Sequence, residues 1–128
     1  MPRIFRTRTF SRWMQKAGLV DDALYQAVCE MAEGLVDADL GGNIVKKRVA
    51  LPGRGKRGGA RTIVATNLDD RWFFVYGFGK NERANITKDE LKVLREVAKE
   101  LLGFDQQQIA KALSSNEIVE VLHVNKRA

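Results

Sequence analysis

The stretch Trp72-Phe73-Phe74-Val75-Tyr76-Gly77-Phe78 decides the fold. Aromatic and branched side chains fill all of it except Gly77, on both parities of the alternation. A strand of that composition has no polar side to turn to water, so it is expected in the middle of a sheet covered on both faces. Asp69-Asp70 just before it supplies a tight turn, and Ala60 to Asn67, rich in Thr, Ile and Val, becomes its hairpin partner. One step further upstream, Ile44 to Leu51 interleaves branched apolar residues with Lys46, Lys47 and Arg48 until Pro52-Gly53 breaks the run. The connection Gly53-Arg54-Gly55-Lys56-Arg57-Gly58-Gly59 is expected to be a flexible loop.

On the N-terminal side, Arg3-Ile4-Phe5-Arg6 is compatible with a short strand. Thr9 or Ser11 can cap a helix whose apolar face is Phe10, Trp13, Met14 and Ala17, with Gly18 as its stop. Asp21 and Asp22 then place negative charge at the positive end of a second helix. Leu24, Ala27, Val28, Met31 and Leu35 make its core stripe at helical spacing, and Gly41-Gly42 turn the chain into β-structure. On the C-terminal side, Thr87-Lys88-Asp89-Glu90 is a capping box for a helix with a stripe of Leu91, Leu94, Val97, Ala98 and Leu101, ended by Gly103. Asp105 can cap a short further helix with Phe104 and Ile109 as a hydrophobic staple, and Glu117 to Val124 can add an edge strand. The fold class is therefore α+β: an N-terminal helical hairpin packed on a small antiparallel sheet, followed by one or two C-terminal helices. Residues 1–128 read as one domain, with 104–128 as a candidate C-terminal extension.

Charge along the chain is uneven. Residues 1–16 carry five basic and no acidic side chains, residues 17–42 six acidic and no basic ones. Residues 43–83 carry ten basic against three acidic, and the remainder balances at seven each. A net +6 whose positive charge is concentrated in the β-region and at the extreme N-terminus is the footprint of a phosphate-rich partner. No apolar run approaches the roughly 20 residues of a spanning helix, so no membrane is expected. The N-terminus lacks the apolar centre of a signal peptide, and its helix-like packing face argues against a transit peptide. The single cysteine, Cys29, excludes an internal disulfide, fits a reducing cytoplasmic compartment, and reads as a buried structural thiol beside Ala27, Val28 and Met31.

Strand alternation puts Lys46 and Arg48 on one face and Val45, Val49 and Leu51 on the other; Lys47 breaks the pattern and is expected at an exposed edge. Arg61 shares a face with Ile63 and Ala65 and should join Lys46 and Arg48 on one sheet surface. After the central strand comes the charged turn Gly79-Lys80-Asn81-Glu82-Arg83. Other signals fail. Gly53 to Gly58 matches G-x-G-x-x-G formally, but a strand rather than a helix follows it. Gly55-Lys56 is followed by Arg57, so no P-loop exists. His123 and Cys29 are too few and too far apart for a metal, and a lone histidine excludes a paired-histidine ribonuclease mechanism. No metal and no cofactor are expected.

These residues resemble the RelE-like toxins of bacterial toxin–antitoxin modules, within the RelE/ParE superfamily. The likeness is greatest to the HigB-type branch that carries G-K-G-K-R-G-G-x-R and Y-G-K-N-E. The corresponding stretches are Gly53-Arg54-Gly55-Lys56-Arg57-Gly58-Gly59-Ala60-Arg61 and Tyr76-Gly77-Phe78-Gly79-Lys80-Asn81-Glu82. The order of elements fits over residues 3–103. The resemblance implies a ribosome-dependent mRNA endoribonuclease, an mRNA interferase that inhibits translation and is neutralised by a cognate antitoxin protein. Its partners would be the antitoxin, the ribosome and mRNA. By the same resemblance the catalytic set is Arg61, Lys46, Arg48, Lys80, Glu82 and Arg83, with Arg61 as the phosphate-binding arginine. Arg54, Lys56, Arg57 and Asn81 would grip mRNA or ribosomal RNA. The chain departs from the best-known members at Asn81, where they have arginine, and at Thr87, where they have tyrosine. Glu82 is then a candidate proton acceptor, or one half of a Glu–Arg pair. Two other readings stay open: a non-catalytic, ParE-like gyrase inhibitor on the same scaffold, and a basic nucleic-acid-binding module. The sequence does not fix an oligomeric state.

Overall fold

The computed structural model of the protein describes residues 2–53 and 55–122, excepting the side chains of residues 55–58. In chain order the elements are β1 (Arg3–Thr7), α1 (Arg8–Ala17), α2 (Asp21–Ala32), β2 (Ala38–Gly41), β3 (Ile44–Leu51), β4 (Gly55–Thr66), β5 (Arg71–Gly79), α3 (Lys88–Leu102), α4 (Gln106–Ser114) and β6 (Ile118–Glu120). The strands of the described residues form one sheet in the order β2-β3-β4-β5-β1-β6.

The expectation of a helical hairpin followed by an antiparallel sheet is corrected at its start. The chain opens with β1, which lies inside the sheet, parallel to β5 and antiparallel to β6. The sheet is therefore mixed. Its β5 does sit centrally, between β4 and β1, and its apolar side chains are buried on both faces. One face is covered by α1 and α2 through Phe10, Met14, Leu24, Val28 and Met31, packed on Val45, Val49, Val64, Trp72 and Phe74. The other face carries α3 and α4, whose Ala98, Leu101, Ile109 and Ala112 meet Phe5, Ile44, Ile63, Phe73 and Val75. Phe5 and Phe73 stack across the parallel pair with centroids 4.8 Å apart, a contact worth about 0.5–1.5 kcal/mol beyond the area it buries.

Local chemistry sets the ends of the elements. The cap of α1 is Thr7, not Thr9 or Ser11: its hydroxyl accepts from the Phe10 N–H at 3.2 Å, while Ser11 accepts from Arg6. Gly18 ends α1 in a left-handed conformation at φ 79°. The α2 stripe stops at Met31, because the helix ends at Ala32 and leaves Leu35 56 % exposed. Cys29 is exposed rather than buried, since it lies off the arc spanned by Ala27, Val28 and Met31. Gly41, Gly42 and Asn43 all take positive φ and close a β2–β3 hairpin, a strand the sequence pattern does not announce. The glycine-rich stretch is not a long loop, because β4 begins at Gly55 and its backbone pairs with β3. Asn67 closes the β4–β5 turn by accepting from the N–H groups of Asp69, Asp70 and Arg71. The capping boxes of α3 at Thr87 and α4 at Asp105 both form, and Phe104 and Ile109 join the same apolar cluster. The tail adds β6 at the sheet edge; His123 and Val124 lie outside the described residues.

Lys47 is the largest departure on β3. It is 5 % exposed instead of lying at an open edge. Its alternation points it at α2 and the segment that follows, where Nζ meets the Glu30 carboxylate and the Leu35 carbonyl, each at 2.8 Å. Burial of the ammonium is tolerable because both contacts replace water.

Candidate active site

Pairing register brings the candidate residues into rows. Arg48 stands opposite Arg61, and Arg61 opposite Phe78; one step along, Lys46 stands opposite Ile63, and Ile63 opposite Tyr76. Directly paired residues share a face, so Lys46, Arg48, Arg61, Tyr76 and Phe78 occupy the same side of the sheet as α3. The apolar residues of α3 and α4 gather with Ile44, Ala65 and Phe73 at the other end of this face.

The position of Tyr76 depends on a bulge. Val64 pairs with Phe74 but Ile63 pairs with Tyr76, leaving Val75 as an extra residue in β5. An extra residue reverses the alternation beyond it. Trp72 and Phe74 therefore face α1 and α2, whereas Tyr76 and Phe78 face the arginines. Gly77 accordingly turns to α1, and a Cβ there would come within 2.4 Å of the Trp13 ring. Plain alternation along the aromatic strand cannot show this switch, which is why Tyr76 escapes a reading of the sequence as a site residue.

The cations differ in how they are satisfied. Arg61 is half-buried, and its Nη1 is shut away from solvent without a hydrogen-bond partner among the described residues. Two guanidiniums directly opposite each other repel, so the Arg48–Arg61 pair costs stability unless an anion lies against it. Arg48 has a partial remedy in Asp37, 3.4 Å from its Nε. Lys46 and Lys80 have no partner among the described residues, and Lys80 is exposed with Asn81 in the turn after β5.

Arg83 is fully engaged. It grips Glu90 through Nη1 and Nη2 at 2.8 and 2.5 Å, donates from Nε to the Asn85 carbonyl at 2.9 Å, and donates from Nη1 to the Tyr76 hydroxyl at 3.1 Å. Its guanidinium also lies 5.8 Å from the Phe78 ring centroid. Glu90 is held down to about 2, first by Arg83 and then by the Thr87 N–H, and the Arg83 pKa is raised in return. Thr87 thus serves the helix cap, in line with its capping-box reading.

Glu82 belongs to the other side of the sheet. Its Oε1 accepts from the Gly79 N–H at 2.7 Å and lies 3.5 Å from the Trp13 indole nitrogen. It lines a groove with Asn81, Trp13 and Lys16 instead of joining Arg61. Among the described residues Glu82 pairs with no arginine, and its carboxylate secures the turn. Arg54 and the side chains of Lys56 and Arg57 lie outside the described residues. Among those described, no cluster of three or more His, Cys, Asp or Glu residues could hold a metal, and no helix is long and apolar enough to cross a membrane.

An open sheet face with paired and unpaired cations, on a scaffold of this strand order, agrees with the comparison of the chain with known families. A family model described as the RelE toxin of the RelE/RelB toxin–antitoxin system matches residues 2–121. Comparison with curated proteins gives no match. The match takes in every element from β1 to β6, including the part of the chain beyond residue 103. Toxins of this kind are paired with an antitoxin, and this chain has such a partner by membership. The chain belongs to the RelE toxin family, as the toxin component of a toxin–antitoxin system.

Proposed function

We propose that this toxin is an mRNA endoribonuclease that works in the cytoplasm on ribosome-bound message, without a metal, and thereby stops translation. The observation that carries the reading is the buried Nη1 of Arg61, without a partner among the described residues and set opposite Arg48 on the uncovered part of a sheet face. A guanidinium left unsatisfied beside a second one suits a dianionic ligand, and a phosphate passing to a pentacoordinate transition state gathers the charge such donors meet.

In this reaction the 2′-hydroxyl of one nucleotide attacks the adjacent phosphate. Arg61 binds its non-bridging oxygens, while Lys46 and Arg48 neutralise the charge that develops there. Arg is permanently cationic and forked to fit two phosphate oxygens, so no metal is needed for this step. Lys80, Asn81 and the basic residues Arg54, Lys56 and Arg57 would hold mRNA or ribosomal RNA around the site. Glu82 keeps the β5 turn in place, and Arg83 orients Tyr76.

The test is cleavage of a defined mRNA by purified protein, with and without programmed ribosomes, mapped by primer extension. Cuts that require ribosomes and vanish in a folded Arg61→Ala variant are expected. Cleavage retained by that variant would remove Arg61 from the site. Absence of cuts under both conditions would abandon RNA cleavage in favour of a gyrase-directed or purely binding protein.

A further inference from the structure

We propose that Tyr76 is the proton donor to the leaving group in this cleavage; the inference rests on the ribonuclease reading above. The Tyr76 oxygen accepts a hydrogen bond from Arg83 Nη1, and its own O–H has no acceptor among the described residues. A hydroxyl that accepts from one side offers its hydrogen in another direction.

The arrangement around it is fixed. Thr87 holds Glu90 through its backbone N–H at 2.7 Å, and Glu90 clamps Arg83 with both oxygens. Asn85 takes the Nε of Arg83, and Arg83 in turn sets the phenol. Tyr76 sits in the row next to Arg61, on the adjacent strand. That makes the two diagonal neighbours, with Cα atoms about 7–8 Å apart. Both side chains are long enough to converge on one phosphate. Lys46 stands two strands away from Tyr76, roughly 10 Å at the backbone. Arg83 cannot give up a proton at ordinary pH, so its part is to position Tyr76.

The step balances as follows. The 2′-hydroxyl loses its proton to water as its oxygen forms a bond to phosphorus. The bond from phosphorus to the 5′-oxygen breaks, and that oxygen takes the proton of Tyr76. The phenolate left behind faces the Arg83 guanidinium until water reprotonates it. The products are a 2′,3′-cyclic phosphate and a 5′-hydroxyl.

The experiment compares two mRNAs on programmed ribosomes, one natural and one with sulfur replacing the bridging 5′-oxygen at the cleavage site. A thiolate leaves without being protonated, so loss of a proton donor should not slow the sulfur substrate. Tyr76→Phe is expected to cut the oxygen substrate roughly 100- to 10,000-fold more slowly, and the sulfur substrate at close to the wild-type rate. Equal loss on both substrates, the result of impaired folding or binding, would overturn the proposal, as would no loss on either. Failure of the wild-type protein to cut both substrates would instead overturn the ribonuclease reading, and this inference with it.

Discussion

Lys47 and Arg61 lie on adjacent strands and face opposite sides of the sheet, and their charges are handled in opposite ways. Lys47 is enclosed and answered by Glu30 and the Leu35 carbonyl. Removing Glu30 leaves the enclosed Lys47 ammonium without its counter-charge, whereas removing Lys47 leaves a carboxylate that is 30 % exposed and can turn to water. Glu30→Ala is therefore expected to lower stability by about 2–4 kcal/mol, whereas Lys47→Met should change it by about 1 kcal/mol or less. Urea denaturation of both variants measures this, and a Lys47→Met loss as large as that of Glu30→Ala would contradict it. Arg61 by contrast is left with an unanswered donor. Its replacement by Ala should spare or raise stability, since the repulsion from Arg48 disappears, even as cleavage is lost.

Among the elements, β5, the turn after it and the start of α3 supply in order the Tyr76 phenol, the Arg83 guanidinium and the Glu90 carboxylate of one chain. Gly77 is required where α1 crosses β5: Gly77→Ala should cost about 1–3 kcal/mol through displacement of Trp13, readable as a lowered melting temperature. The Glu90 carboxylate, ordinarily near 4.5, is held at about 2. A depressed carboxylate stabilises the folded state fully above its unfolded value, so this contribution is complete above about pH 4.5 and fades as pH falls through 2. Glu90→Gln should be less stable than the parent at pH 7, and the two stabilities should converge near pH 2. Much of this level was legible in the sequence. The ends of β3, the capping box of α3, the Asp105 cap of α4 and the central place of β5 follow from local periodicity and cap chemistry. The switch at Val75 was not, because a bulge is set by what the partner strand needs. Lys47 was misplaced for a similar reason: its partners Glu30 and Leu35 lie in a different element and loop. The parallel pairing of β1 with β5, a contact between segments far apart in sequence, was equally invisible to a local reading.

Over the whole molecule, Lys46, Arg48 and Arg61 share one open face of β3 and β4, while Lys111 lies on α4. If RNA lies across that face, affinity should fall with salt as bound counterions are released. Lys46→Ala should reduce the slope of log affinity against log salt by about 0.7–0.9, and Lys111→Ala should leave it unchanged. Equal effects of the two would place the RNA elsewhere. The sheet also fixes an order of events. β1 is enclosed by β5 and by β6; Arg3 binds Glu120 through two contacts of 2.9 Å, and the Val121 N–H reaches the Ile4 carbonyl at 2.8 Å. A chain emerging from its own ribosome must therefore release its opening strand unpaired on one side until residues 118–121 follow. β1 is thus paired on both sides only after residues 118–121 have been made, and loop closure across so long a separation makes that last pairing slow.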